Sequence, residues 1–419
     1  MFHTNEEWTE RILGRRTCVS DTVAFTASSA PESCIDPDHG MIYSTYLASR
    51  QNYGESRNIV ALARIPVCQP ERFTTWIVAE SGMEVAGKKY GEFLDCNAYY
   101  YQTSEEAATV VTHFGQTGTL YRGYVRVLFL SYGEEYYYTD FDIQNETFSE
   151  IRPLKVLFSG EEKPLTGALY AEILRDFGFT DFDLYKEKWE HVILTDKFRL
   201  YTDGFRYSMM TAGQAQPVCV RIAEGSDVLE IRGAIPKLGQ YETQSAILNC
   251  HSAPGAPSQV PGMSQGNPSE SPSIALGSTK DSSAVMAALV RGAEGDNYYL
   301  SDDLGLSWRP AGRVEFNTTR PQLLPYKGKL LRGISIVGVL PNRVRDGRNN
   351  LILSVAARPE LDAYEDIFFI QDPYGIVYYD IFDYKDTLYM LWSSGDLYID
   401  KNPQAKDLLW FARIGDLPL

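Results

Sequence analysis

The chain has 419 residues, of which 44% are hydrophobic and 22% charged, so it has ample material for a packed core and no general tendency to disorder. With 39 Lys and Arg against 55 Asp and Glu the formal net charge is −16, which excludes electrostatic binding to nucleic acid or to an anionic membrane surface. Any anionic ligand must then be met by a local cluster of arginines.

At the N-terminus, Asn5 to Arg16 predicts a short helix, because Trp8 and Ile12 are spaced four apart on one face. This charged, amphipathic start lacks the apolar region of a signal peptide, and no run approaches the roughly 18 apolar residues of a membrane span. The expectation is a cytoplasmic protein with no membrane partner. From there the chain becomes β-rich, repeating an apolar or aromatic run, a turn with Gly, Asp or Asn, and another such run. The 28 tyrosines suit strands and also surfaces that face sugars.

Six units of this kind follow one another: Asp36 to Glu80, Asn97 to Val156, His191 to Pro236, Tyr241 to Phe316, Thr319 to Asp372 and Ile376 to Leu419. YKGKLL in the fifth and YKDTLYML in the sixth are one hairpin at the same point of each unit, so the repeat is more than compositional. Six repeats of short antiparallel strands predict an all-β fold, a six-bladed β-propeller in a single domain. Five blades are the alternative, because the second and third units are irregular. Two stretches interrupt the pattern. Within 160–190, TGALYAEILRDF has helical spacing and predicts an inserted helix; 252–282 is rich in Pro, Gly and Ser and predicts a mobile loop.

The fourth unit contains Ser301 to Trp308, SDDLGLSW, between NYYL and GRVEF. Asp303 can accept turn N–H groups, Gly305 can take a positive φ and Trp308 can anchor the hairpin in a core. The pattern resembles the Asp-box of sialidases and other propellers, and its role there is structural.

A propeller gathers the starts of its units around a central pit. At those starts stand Glu242 in YETQSAIL, Arg291 in AALVRG before the hairpin, Arg320 in TTRPQLL, Arg345 and Arg348 in VRDGRNNLILS, and Tyr378, Tyr379 and Asp380 in IVYYDIF. This order is similar to that of the exo-sialidase family, six-bladed propellers with a Tyr nucleophile, a Glu that activates it, an Asp acid/base and three arginines around the substrate carboxylate. The resemblance implies Tyr378 as nucleophile, Glu242 as its base, and Arg291 and Arg348 as the second and third clamp arginines. Chemistry supports the same choice: a neutral Tyr needs a neighbouring carboxylate in order to attack, and an anionic sugar calls for guanidinium contacts. Sialidases are the Tyr-nucleophile exception among glycosidases.

The first unit departs from that pattern. IYSTYLASRQNYGESRNIVALARI resembles the family's first hairpin, with Arg50 at the place of a loop arginine, yet the Arg-Ile-Pro expected upstream is missing; Ser33, Cys34 and Ile35 stand near its place. Tyr53 falls nearest the acid/base position, and Glu55, two residues on, is the carboxyl that would protonate a leaving oxygen. Arg57 in ESRN suits a solvated turn or a substrate contact. Asp36, with Asp38 in CIDPDHG, suits a turn or a site role, and Asp380 is a further candidate for substrate binding.

No cofactor or metal is expected: the five histidines are isolated and the six cysteines lack ligand spacing, reading instead as buried free thiols. The GxGxxG and P-loop patterns are absent. The sequence therefore predicts a sialidase-like retaining glycoside hydrolase acting on a terminal, acidic sugar. The alternatives are a propeller lyase, a hydrolase of another sugar, or a non-catalytic glycan-binding propeller.

Overall fold

The computed structural model describes residues 5–50, 58–85, 88–89, 91, 93–111, 117–131, 135–184, 192–194, 196–239, 242–248, 285–292, 295–314, 318–336, 349–357, 361, 363–372, 375–394, 407–417 and 419. Side chains at 85, 88, 94, 104–111, 117–121 and 319–320 fall outside that description. The described strands form six sheets of four or more strands, plus a two-stranded ribbon; all are antiparallel except that of blade 3, where Lys155–Phe158 adds in parallel to Val228–Ala234.

Blade 1 runs Ala27–Asp36, Met41–Ser49, Ile59–Pro66 and Thr74–Glu80 from the axis outward. Blade 2 begins with Phe93–Val111 and Thr117–Ser131. In blade 3 the innermost strand is broken into Val192–Ile193 and Arg199–Leu200, both paired with Phe205–Ala212. Blade 4 comprises Thr243–Leu248, Val285–Val290, Asp296–Ser301 and Arg309–Val314. Blade 5 comprises Thr318–Tyr326, Lys329–Ile336, Asn350–Ala356 and Tyr364–Gln371.

Among the described residues blade 6 supplies three strands of its own, Tyr378–Tyr384, Thr387–Ser393 and Leu409–Gly415; Thr17–Cys18 from the other end of the chain pairs with the last of them. The two ends of the described chain thus meet in one sheet, which closes the ring and removes an open edge. Arg16 reinforces the closure, paired with Asp372 and stacked 4.4 Å over Trp410. The expectation missed this strand, and it began the first unit at Asp36, nine residues after Ala27. The polar run SSAPESC gives no apolar alternation to signal a strand.

The inter-blade cores are apolar. Between blades 5 and 6 lie Leu331, Leu353, Ile381, Met390 and Trp392, onto which the N-terminal helix α1 (Glu6–Ile12) adds Trp8 and Ile12. Asn5 caps that helix through a bond from Trp8 N at 3.1 Å. The predicted insertion helix is α2 (Gly167–Asp176), capped by Thr166 and burying Leu169, Tyr170, Ile173 and Leu174 against blades 2 and 3. Its Tyr170 hydroxyl donates to Gln216 O at 2.6 Å and Met210 O at 3.1 Å, so the buried phenol is satisfied. Each such aliphatic side chain contributes about 1.5–3 kcal/mol when removed from water. Among the described residues no helix is long and apolar enough to cross a membrane. The 252–282 stretch lies outside the described residues.

The Ser301–Trp308 turn has the expected bonding. Asp303 Oδ1 accepts from Ser301 Oγ at 2.7 Å and Ser307 N at 2.9 Å, and Ser301 Oγ accepts from Gly305 N at 2.8 Å. Burial pushes the Asp303 carboxyl up, but the Ser307 and Ser301 donors outweigh it and hold it below its ordinary range. Gly305 has φ +84°, and a Cβ there would stand 2.4 Å from Cys219 Sγ of blade 3. With Trp308 packed on the same cluster and Arg232 Nε donating to Leu304 O at 3.3 Å, the turn staples blade 4 to blade 3.

The thiols divide. Cys96 and Cys219 are buried as expected and Cys18 and Cys34 are half-buried, whereas Cys68 is exposed, correcting the expectation for that residue. It follows the third strand of blade 1, in a turn on the surface.

Candidate active site

Because every blade starts at the axis and runs outward, the innermost strands point the same way, and the residues at their starts share one mouth of the axial channel. Below that mouth the blades are tied into a ring. Asn97 Nδ2 of blade 2 donates to Leu194 O and Asp196 O of blade 3 at 2.8 and 2.7 Å, and Ser245 Oγ of blade 4 donates to the Asp196 carboxylate. Gln322 of blade 5 accepts from Ile381 N and donates to Ile381 O of blade 6, both at 2.7 Å. Ser33 N of blade 1 donates to Asp380 of blade 6 at 2.8 Å. Burial pushes the Asp196 carboxyl up, opposed by its Arg199 partner and the Ser245 hydroxyl.

Glu242 stands one residue before the innermost strand of blade 4 and three before Ser245, so it lies on the mouth side of this ring. Its main-chain oxygen accepts from Arg291 N at 3.2 Å, and Arg291 Nη1 donates to Glu242 Oε2 at 3.0 Å. The Glu242 side chain is 11% exposed and that of Arg291 16%, so this charge pair is shielded from most solvent screening. Arg291 Nε is buried without a hydrogen-bond acceptor. Tyr378, the first residue of the innermost strand of blade 6, is half-buried and lies two residues on the mouth side of Asp380. The mouth therefore brings Glu242, Arg291 and Tyr378 to the same rim.

A further carboxylate belongs to this rim. Asp296 begins the third strand of blade 4, is fully buried, and accepts from Gly292 N at 3.4 Å and from the Thr318 hydroxyl at the start of blade 5. Burial raises its carboxyl to about 6, against the lowering effect of Thr318, Gly292 and Arg291. Asp296 thus links the turn after Arg291 to the strand bearing Arg320.

Other expected site residues are engaged differently. Arg50 follows the second strand of blade 1, on the mouth side as Arg291 is in blade 4, but it pairs outward with Glu80 of the outermost strand at 2.8 Å on the surface, with 48% of its side chain exposed. Asp36 lies at the far end of its strand from the mouth and accepts from His39 Nδ1 at 2.7 Å and Asp38 N at 3.1 Å, which closes its own turn. Asp380 is not offered to a ligand: its carboxylate takes Ser33 N, Gln322 Nε2 at 3.0 Å and the Lys197 ammonium. Glu55, Arg57, Arg345 and Arg348 lie outside the described residues, and Arg320 is placed by its backbone only.

Blades 1 and 5 share a bulge in the innermost strand. In blade 1 the ladder slips between Ser29 and Glu32, leaving Ala30 and Pro31 opposite Tyr46 alone. Blade 5 slips identically between Thr319 and Gln322, leaving Arg320 and Pro321 opposite Ile334. The proline bulge of blade 1 therefore sits at Ser29-Ala30-Pro31, two to four residues before Ser33, and it holds no arginine. Ser29 is fully buried and its hydroxyl has no partner. Lys197 and Asp296 were not foreseen. Lys197 sits in a broken strand without alternation, and Asp296 is hidden in the turn-like GDN; neither has a motif that spacing alone could reveal.

Searches by sequence are silent: no protein-family model matches the chain, and no curated protein matches it. Comparison of structures is not silent. A Trypanosoma rangeli sialidase in complex with a 2-keto-3-deoxy-difluoro-nononic acid superposes with a TM-score of 0.50 at 12% identity, over 93% of this chain and 54% of that one. The fold is that of the sialidase propellers. The NanB sialidase of Streptococcus pneumoniae, in its K499G form, aligns over 95% of this chain and 70% of its own, at 10% identity and a TM-score of 0.48. This sialidase-like propeller spans about half the length of the T. rangeli chains it matches.

Proposed function

We propose that this sialidase-like propeller is a retaining glycoside hydrolase that removes a terminal, acidic sugar from a glycan or glycoside. The observation that carries the proposal is the shielded Glu242–Arg291 pair on the rim shared with Tyr378. In the proposed reaction Glu242 takes the phenolic proton as the Tyr378 oxygen bonds to the anomeric carbon. The glycosidic C–O bond breaks, and an acid from the first blade, Glu55 in this reading, protonates the departing oxygen. Water then attacks the anomeric carbon and gives its proton to the Glu55 carboxylate, while the bond to the Tyr378 oxygen breaks and Glu242 returns the proton to the phenol. Arg291 would hold the sugar carboxylate together with Arg348 and with Arg320 or Arg345.

A second reading, a propeller that binds such sugars without cleaving them, is favoured by one observation. Neither Ser33, Cys34 and Ile35, near which the resemblance calls for the first clamp arginine, nor the Ser29-Ala30-Pro31 bulge just before them supplies a guanidinium. A panel of aryl glycosides of sialic acid, related nonulosonic acids, hexuronic acids and neutral hexoses separates the two. Release of the aryl group from an acidic member, lost in Tyr378→Phe, supports the hydrolase; binding of acidic sugars with no release from any member supports the second reading.

A further inference from the structure

Beneath the rim, Asp380 is a buried and heavily bonded charge. Its side chain is 1% exposed, and its donors come from three other blades: Ser33 N of blade 1, Gln322 Nε2 of blade 5 and the ammonium of Lys197 in blade 3. Blades 1 and 5 flank blade 6 in the ring, but blade 3 is three places away in either direction. Lys197 therefore reaches across the axis to the opposite blade. Its neighbour Arg199 also crosses, with Nη2 donating to Leu323 O of blade 5 at 2.9 Å.

The ring does not need such a strut to stay closed, since the contacts between neighbouring blades and the shared sheet of blade 6 already close it. Buried ion pairs add little net stability against well-packed apolar replacements, whereas removing one partner strands a charge. What a cross-axis pair can add is a defined position. Side chains alternate along a strand, so Tyr378 and Asp380 project from the same face of one strand, about 6–7 Å apart along it. Gln322 grips the next residue, Ile381, by both its N–H and its C=O. Directly after Tyr378 the strand is thus gripped from one flank at Ile381, from the other at Asp380, and from across the channel by Lys197.

We infer that Lys197 and Asp380 are positioning residues, Lys197 acting through Asp380 to fix where Tyr378 stands at the channel mouth; their catalytic consequence rests on Tyr378 being the nucleophile. The position itself can be read without turnover. With 3-fluorotyrosine incorporated at position 378 of the full chain, fluorine NMR reports the ring's surroundings directly. Lys197→Met is expected to move or broaden that resonance by more than its linewidth, while Arg126→Met, which breaks the buried Arg126–Asp140 pair of blade 2, leaves it in place. An unmoved resonance in Lys197→Met, or an equal change in Arg126→Met, overturns the inference. Should Lys197→Met fail to fold, Lys197→Arg keeps the charge and alters its reach; it is expected to shift the same resonance, and no shift is again contrary.

On an aryl sialoside that the protein turns over, Lys197→Met lowers kcat at least about tenfold with KM within about twofold, and Lys197→Arg, with the charge kept but the reach altered, recovers part of the loss. Unchanged kcat in folded Lys197→Met also overturns the catalytic consequence. Failure of the functional reading shows separately, as full turnover by Tyr378→Phe.

Discussion

Blades 1 and 5 open with one backbone and two chemistries. In each, the innermost strand slips by one residue at a proline, Ala30-Pro31 opposite Tyr46 and Arg320-Pro321 opposite Ile334. Blade 5 places a guanidinium-bearing residue in that bulge; blade 1 places alanine there, preceded by a buried serine. A bulge re-aims the strand and its side chains, so the backbone device persists in blade 1 without the group it could present. Architecture and site chemistry are separable in this propeller, and each has its own tests.

The largest effects should come from the rim that blades 4 and 6 build. Tyr378→Phe and Glu242→Ala are each expected to lower turnover of an acidic aryl glycoside by roughly 10²–10⁴-fold without loss of fold, measured as kcat alongside circular dichroism. If blade 1 differs from blade 5 only in lacking its arginine, then Ala30→Arg should repair the difference. KM for the acidic glycoside is expected to fall severalfold, corresponding to about 1 kcal/mol, with no change for a neutral one. A rise for both would mean that the blade 1 bulge does not face the sugar.

The stapling turn of blade 4 tests architecture alone. Gly305→Ala combines a φ of +84° with a Cβ 2.4 Å from Cys219 Sγ, and is expected to cost about 1–3 kcal/mol in denaturant unfolding. KM in the folded fraction should stay unchanged. Asp296 links site and scaffold through pH. Burial raises its carboxyl to about 6, above the ordinary value of 3.8, so the native state holds this proton more tightly than the unfolded chain does. That contribution to stability is fully present below about pH 4 and is lost as the pH rises through 6. Melting temperature followed from pH 4 to 7 should show the decline, and Asp296→Asn should flatten it. The smallest effect is expected at Arg50: its exposed pair with Glu80 is worth no more than about 1 kcal/mol, and Arg50→Ala should leave KM untouched.

The architecture was legible because propeller blades repeat local signals. Alternating apolar runs, the YKGKLL and YKDTLYML hairpins, and the Ser301–Trp308 turn each specify short-range structure, and α1 and α2 announce themselves by spacing and caps. What escaped was non-local or polar. The Thr17–Cys18 strand gains its place only by pairing with residues nearly 400 positions away in the chain. SSAPESC has no alternation to read, and the bulge that places Ser29 is visible only once two strands are paired. Candidate site residues could be named from sequence where they flank a strand, as with Glu242, Arg291 and Tyr378. The turn reading of Asp36 holds, its carboxylate closing on His39, whereas the binding role expected of Asp380 fails because its carboxylate is taken up by three other blades. Lys197 could not be found without the ring that sets blade 3 opposite blade 6.

The claim that Tyr378 attacks the anomeric carbon is tested most directly by trapping. The full chain is incubated with a 2,3-difluoro sialic acid, whose C2 fluoride leaves on attack and whose C3 fluorine slows hydrolysis of the adduct, and the protein is then digested and mapped by mass spectrometry. The account predicts one added glycosyl mass on the peptide containing Tyr378, absent in Tyr378→Phe. A glycosyl mass on any other residue, or none under conditions in which the aryl sialoside is hydrolysed, would contradict it.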